Sequence, residues 1–190
     1  MHRFKAKTRH GLHSPFVYRL VDNIFYDYRA KKVYHEIEKI NNDLPATRKS
    51  FTSGLTKLKI NRLLYRLVAD LKPGNLLLLG TIPAITLPYL QKGSTAAKVY
   101  TTASSIAGKI DFALISGGDE ALRYFEDCLP KIHDTTMIVF DGIYQNKNMK
   151  KIWQEIKANQ QVTVTVDLFW IGLVFFRKGQ AKEDFLIKLV

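Results

Sequence analysis

Three observations predict an α/β chain with a helical front and a mostly parallel sheet behind it. Four short apolar runs, Leu76 to Leu79, Lys98 to Thr101, Phe112 to Ile115 and Met137 to Phe140, are continuous rather than alternating. Strands buried on both faces of a parallel sheet read this way. Between and after them lie segments of helical period, Glu120 to Leu129 and Asn148 to Ala158. Finally, two β-rich runs, Val162 to Leu168 and Ile171 to Phe176, are divided by so few residues that they suit an antiparallel pair. Alternating strand and helix with an antiparallel end describe a Rossmann-like sheet over residues 73–190, behind a helical portion over 1–72, all in one domain.

Residues 1–13 are polar and basic with no period. At Ser14-Pro15 a hydroxyl can cap free amides and a proline is preset for the first helical position. Phe16, Val17, Leu20, Val21, Ile24 and Phe25 then form one apolar stripe, predicting a helix to about Tyr28. A weaker helical pattern covers Val33 to Ile40, and residues 43–55 are rich in breakers and read as a loop. Ile60, Leu63, Leu64, Leu67, Val68 and Leu71 predict a helix from Lys59 to Leu71, stopped by Pro73-Gly74, with Arg62 and Arg66 on its polar face.

With 190 residues, 46% of them hydrophobic and 24% charged, the chain can bury an ordinary core, which excludes a disordered or collagen-like protein. The net charge of +12 is concentrated: residues 1–74 hold 16 basic and 6 acidic side chains, residues 75–190 hold 13 and 11. Acidic partners, if any, therefore belong to the front of the chain. One cysteine, Cys128, cannot form an intramolecular disulfide and suits a reducing, cytoplasmic setting. The basic N-terminus is followed by no apolar run of the kind a secretory signal needs. The longest apolar stretch, Leu168 to Phe176, is interrupted by Gly172 and is about half the roughly 20 residues of a membrane helix, so no membrane association is expected.

In such a sheet the first place for chemistry is the turn after the first strand, here Gly80-Thr81-Ile82-Pro83-Ala84. A glycine there lets backbone approach a nucleotide-like ligand, but it also serves as plain punctuation between strand and helix. Asp141, at another strand's carboxyl end, has the position of a general base or metal ligand, with a loop or helix-capping role the favoured reading. With Gly142 beside it, hard oxygen ligands are few and no metal is expected. His10 and His13 read as a turn docking the first helix, Cys128 as packing, and Ser116 lacks the surroundings of a nucleophile. Nucleic acid would use the basic front, Arg3, Lys5, Lys7, Arg9, Lys31, Lys32, Arg48, Lys49, Lys57, Lys59, Arg62 and Arg66, with Tyr18, Tyr26, Tyr28, Tyr34 and Tyr65 interleaved for stacking. Many of these aromatics fall on or beside apolar stripes, which favours a solvated basic face over a nucleic-acid site.

Beyond these local readings, most of the chain resembles a bacterial, O-methyltransferase-like subfamily of the class I S-adenosylmethionine-dependent methyltransferases. The likeness is carried by His10-Gly11-Leu12-His13-Ser14-Pro15-Phe16-Val17-Tyr18, Arg62 to Val68 and Leu122 to Glu126, and most closely by Val162 to Phe169 and Gly172 to Arg177. It implies S-adenosylmethionine as cofactor, with Gly80, Thr81 and Ser116 on the cofactor side and Asp141 at the reaction site. Where relatives carry an acid in the first strand this chain has Leu78, and their later glycine is Ala84. A glutamate expected after the second strand falls in Tyr100-Thr101-Thr102-Ala103-Ser104, and the pattern Asp-Asp-Ile-His becomes Asp141-Gly142-Ile143-Tyr144.

A carboxylate holds vicinal ribose hydroxyls by charge-assisted bonds, and Ala103 can accept nothing. Each lost contact costs roughly 1.5–3 kcal/mol, so several losses weaken binding by powers of ten. Chain length adds a geometric argument. Between Thr102 and Ile110 only Ala103 to Lys109 intervene, and seven residues span at most about 25 Å. Returning along a strand of roughly 17 Å and crossing two spacings of about 4.8 Å leaves no room for a crossover helix, so the resemblance's third strand is expected to be missing. The expectation is a methyltransferase-like protein with weakened or lost cofactor binding that acts as a binding or assembly module, as a homo-oligomer or with a protein partner. An active methyltransferase and a nucleic-acid-binding protein are the alternatives.

Overall fold

Leu76, Leu77, Leu78 and Leu79 form the middle of β1 (Asn75–Gly80), and all four are buried. A run of this kind needs cover on both faces, and it has it: Leu76 and Leu78 face one apolar cluster, Leu77 and Leu79 the other. The computed structural model describes residues 13–42, 55 and 57–189. Around β1 lie β2 (Lys98–Tyr100), β3 (Phe112–Ser116), β4 (Met137–Asp141), β5 (Val164–Asp167), β6 (Ile171–Phe175) and β7 (Glu183–Leu186), in the order β2-β1-β3-β4-β6-β5-β7. β1 runs parallel to β2 and β3, and β3 to β4; β6 is antiparallel to β4 and β5. The Rossmann-like α/β sheet with an antiparallel end is thus present.

The β-rich runs of the sequence end at Phe176, whereas β7 adds an outer strand parallel to β5. Its signal is short: in Asp184-Phe185-Leu186-Ile187-Lys188 only Phe185 and Ile187 are buried, both in the helix-side cluster shared with Val17 and Leu64. Two inward positions fall below the length at which alternation stands out.

On one face pack α1 (Pro15–Leu20), α3 (Leu58–Leu71) and α4 (Thr86–Gly93), with α2 (Lys32–Asn42) outside them; on the other lie α5 (Ala121–Cys128) and α6 (Lys147–Ala158). Ser14 caps α1 as its position predicts, its hydroxyl accepting the Val17 amide at 3.4 Å. The helix does not continue regularly to Tyr28 but widens into a π turn, Val21–Phe25. Arg66 is responsible for satisfying that turn's carbonyls. Its guanidinium donates to Ile24 O at 2.7 Å, Phe25 O at 3.5 Å and the Tyr34 hydroxyl at 3.4 Å.

Arg66 is therefore buried between helices instead of lying on a polar face. Arg62, one turn earlier, pairs with Glu38 through Nε at 2.9 Å and Nη2 at 2.6 Å. Tyr34 is buried and meets Tyr65 edge-on at 5.4 Å. Four of the side chains named for nucleic acid are thus used in helix packing, because α2 crosses the face of α3 that local periodicity leaves polar.

The link between β2 and β3 holds only a single 3-10 turn, Ala103–Ser105, and no crossover helix or additional strand. The link itself is not stretched. β2 has three residues, and Tyr100 stands level with Leu77, one place beyond the level of Phe112. The return is a few ångströms rather than a full strand, which leaves slack for the turn.

Candidate functional site

The order β2-β1-β3 makes the gap between the β1 and β3 ends the switch point of the sheet, where open α/β folds bind ligands. Gly80 closes β1 in a left-handed conformation, φ +84°. A Cβ at that position would stand 2.2 Å from Ser116 O, so only glycine lets the two strand ends come this close. The Thr81 amide then donates to Ser116 O at 2.8 Å. Pairing of β1 with β3 continues past the glycine, and the amide that could have faced an anion is committed to the sheet.

Ser116 and Asp141 meet at the neighbouring strand end, Ser116 Oγ donating to Asp141 Oδ2 at 3.2 Å. Asp141 is only 5% exposed. All four residues singled out from sequence, Gly80, Thr81, Ser116 and Asp141, thus gather along the carboxyl edge of β1, β3 and β4. Asp141 does not cap a helix: α6 is capped by Asn146, whose Oδ1 accepts the Met149 amide at 2.7 Å. Tyr124 lies on Gly117, where an added Cβ would meet its ring at 2.6 Å, and Gly118 and Gly142 both have positive φ beside Gln145. Leu78 packs into the apolar core shared with α3, and Ala103 is buried in the opposite cluster.

Lys131, which no sequence signal singled out, occupies the space beneath the short link. Its ammonium donates to Ala103 O at 2.8 Å, Ile106 O at 2.5 Å and Ser104 O at 3.3 Å, closing the carbonyl end of the 3-10 turn. Among the described residues no group of three or more His, Cys, Asp or Glu is placed to hold a metal. His13 is exposed, and His10 lies outside the described residues, as do Arg3, Lys5, Lys7, Arg9, Arg48 and Lys49. Cys128 is fully buried, and burial pushes its thiol up to about 12.

Two clefts open away from Gly80. One, of about 130 Å³, is lined by Gly142, Tyr144, Gln145, Phe169 and Trp170; the second, of about 210 Å³, by Lys59, Leu168, Phe169, Trp170, Ile187, Lys188 and Leu189. Both are smaller than the roughly 300–1,000 Å³ of enclosed small-molecule sites. They share the β5–β6 turn. There Asp167 accepts the Phe169 amide at 2.9 Å and the Tyr144 hydroxyl, whose titration is pushed up by burial and by that carboxylate. The sequence reading did not single out Asp167, Tyr144, Phe169 or Trp170, whose spacing in the chain does not announce their meeting. Among the described residues no helix is long and apolar enough to cross a membrane.

No protein-family model matches the sequence, and no curated protein matches it either. Solved structures do. An O-methyltransferase from Bacillus cereus in complex with SAH superposes with a TM-score of 0.53 at 16% identity, covering 92% of this chain and 100% of the other. A SAH-bound methyltransferase from Podospora anserina gives 0.56 at 10% identity over 88% and 97%. The O-methyltransferase TomG from Streptomyces achromogenes, in complex with SAM and involved in tomaymycin synthesis, gives 0.52 at 12% identity over 85% and 95%. At such identities the likeness is one of fold: the sheet and its helices have the architecture of these methyltransferases.

Proposed function

We propose that this chain is a methyltransferase-like protein in which binding of S-adenosylmethionine is weakened or lost, and which acts as a binding or assembly module in a reducing, cytoplasmic setting. The observation that carries this reading is the closed switch point. Thr81 N to Ser116 O, at 2.8 Å, fastens β1 to β3 where a cofactor would need an open crevice and a free amide. The donor set is also wrong for the cofactor. Leu78 and Ala103 offer no carboxylate to its ammonium or ribose hydroxyls, and both are buried in apolar clusters.

The residues present at the sheet's carboxyl edge do not fit the cofactor. Asp141 and Ser116 hold each other and thereby tie β3 to β4, a role that needs no ligand. The alternative, an active methyltransferase on an unknown acceptor, draws on the same polar pair at the sheet's carboxyl edge. Calorimetric titration of the full chain with S-adenosylmethionine decides between them. The expected result is no heat of binding at about 10 μM cofactor, and a dissociation constant below that overturns the proposal.

A further inference from the structure

The surface linking the two clefts has a composition that neither fold nor cofactor requires. A continuous series of contacts runs from Tyr28 to Lys150. Tyr28 stacks with Tyr26 at 6.2 Å, and the Tyr26 hydroxyl donates to Lys188 O at 3.0 Å. Lys188 and Lys59 line the larger cleft with Trp170 and Phe169. Lys57 Nζ stands over the Trp170 ring at 4.2 Å, and Phe169 meets Trp170 edge-on at 5.1 Å. Tyr144 stacks with Phe169 at 5.8 Å, and Lys150 Nζ lies 6.0 Å from the Tyr144 ring.

Five aromatic rings and four lysines thus share one surface. Tyr28 is 60% and Phe169 41% exposed, so both rings have faces open to solvent. Phe169 is also held outward by a positive φ of 71°, a conformation disfavoured for a bulky side chain. The carboxylates nearby are already engaged. Asp27 takes Arg29 at 2.7 Å and Lys31 at 3.1 Å, and Asp167 takes Tyr144 and the Phe169 amide.

We infer that the track from Tyr28 through Trp170 and Phe169 to Tyr144 binds single-stranded nucleic acid, its rings stacking on bases and Lys57, Lys59, Lys150 and Lys188 meeting phosphates. Stacking rings interleaved with cations are the chemistry of single-strand recognition, and the open, shallow clefts suit a polymer better than an enclosed small molecule. The track shares Tyr26, Tyr28, Lys57 and Lys59 with the basic front named from sequence but not its other described members: Tyr34, Tyr65 and Arg66 lie in the helical layer, while Phe169, Trp170 and Tyr144 come from the far half of the chain. The inference deepens the binding-module reading by naming a partner, yet the two are tested apart, since the nucleic-acid assay contains no S-adenosylmethionine and the calorimetry no nucleic acid.

Fluorescence anisotropy of the full chain with labelled 12-mers of oligo(dT) and oligo(rU), and with a duplex of equal length, tests it. Neutralising four phosphates gives a salt slope near −2.8, so affinity for the single strands is expected to fall about 50-fold between 50 and 200 mM salt. In the Lys59→Ala/Lys188→Ala variant the same change is expected to be only about 7-fold. Phe169→Gly, which also relieves the positive φ, and Tyr28→Ala are each expected to weaken binding about 5-fold or more. Tyr18→Ala, exposed but outside the track, is expected to change nothing, with thermal melting confirming that each variant folds. Preference for oligo(dT) or for oligo(rU) assigns DNA or RNA. Absence of single-strand binding at 50 mM salt, equal affinity for the duplex, or binding unchanged in both ring variants overturns the inference.

Discussion

Replacing Gly80 by alanine tests the closed switch point directly. The native φ of +84° places an added Cβ 2.2 Å from Ser116 O, while ordinary contact begins near 3.4 Å, so β1 and β3 must part by about 1 Å. Left-handed backbone costs an L-residue about 1–2 kcal/mol, and losing the Thr81 to Ser116 bond about 0.5–1.5 kcal/mol more. With residual overlap the loss is about 3 kcal/mol, which for a chain of this size lowers Tm by about 6–12 °C. Gly179→Ala provides the comparison. Its φ of +71° carries the same backbone strain, but nothing lies within 4 Å of its Cβ. Circular dichroism melts are expected to rank Gly80→Ala clearly below Gly179→Ala. Equal melting points would refute the reasoning, because Gly80 would then be shaping a turn open to ligand and not a strand-to-strand closure.

Two further predictions concern residues that packing has claimed. Arg66→Met removes a buried guanidinium that satisfies two carbonyls of the π turn and is expected to cost about 3 kcal/mol in urea unfolding; Arg62→Met breaks a half-exposed pair and costs about 1 kcal/mol. Comparable losses for the two would contradict the buried clamp. The Cys128 thiol, pushed up to about 12 by burial, stays protonated through neutral and mildly alkaline pH. A disulfide-exchange reagent at pH 8 is therefore expected to leave native protein unmodified and to label it stoichiometrically in denaturant, and rapid labelling of the native chain would place the thiol at the surface.

Strands β1, β3, β4 and β6 are legible because each is mostly a run of consecutive apolar residues, a signal that survives without knowledge of neighbours, whereas β2 (Lys98–Tyr100) and β5 (Val164–Asp167) mix polar with apolar residues and β2 is largely exposed. Ser14-Pro15 and Asn146 mark helix starts for the same local reason, a side-chain oxygen that accepts an amide of the first turn. Arg66 was misread because the period of α3 alone leaves it outside the apolar stripe. Its burial comes from α2 and the π turn, which reach it from 32 and more positions away in the chain. β7 went unread because a strand with only two inward side chains has no period to detect.

At the candidate site, Gly80, Thr81, Ser116 and Asp141 could be placed from sequence because each follows a legible strand, and parallel strands put their carboxyl ends on one edge. What joins them was not legible. That Thr81 bonds Ser116, that Lys131 closes the link after β2, and that Phe169, Trp170 and Tyr144 meet depends on which strands become neighbours and in what register.

By itself, then, the sequence determined the alternation of strand and helix, apolar side chains at Leu78 and Ala103, and a connection too short for a crossover helix. These are properties of composition and local spacing. Only the tertiary structure decided how the ends of β1 and β3 are joined, which cations are buried and which exposed, and where aromatic rings gather, because each of those depends on contacts between segments far apart in the chain.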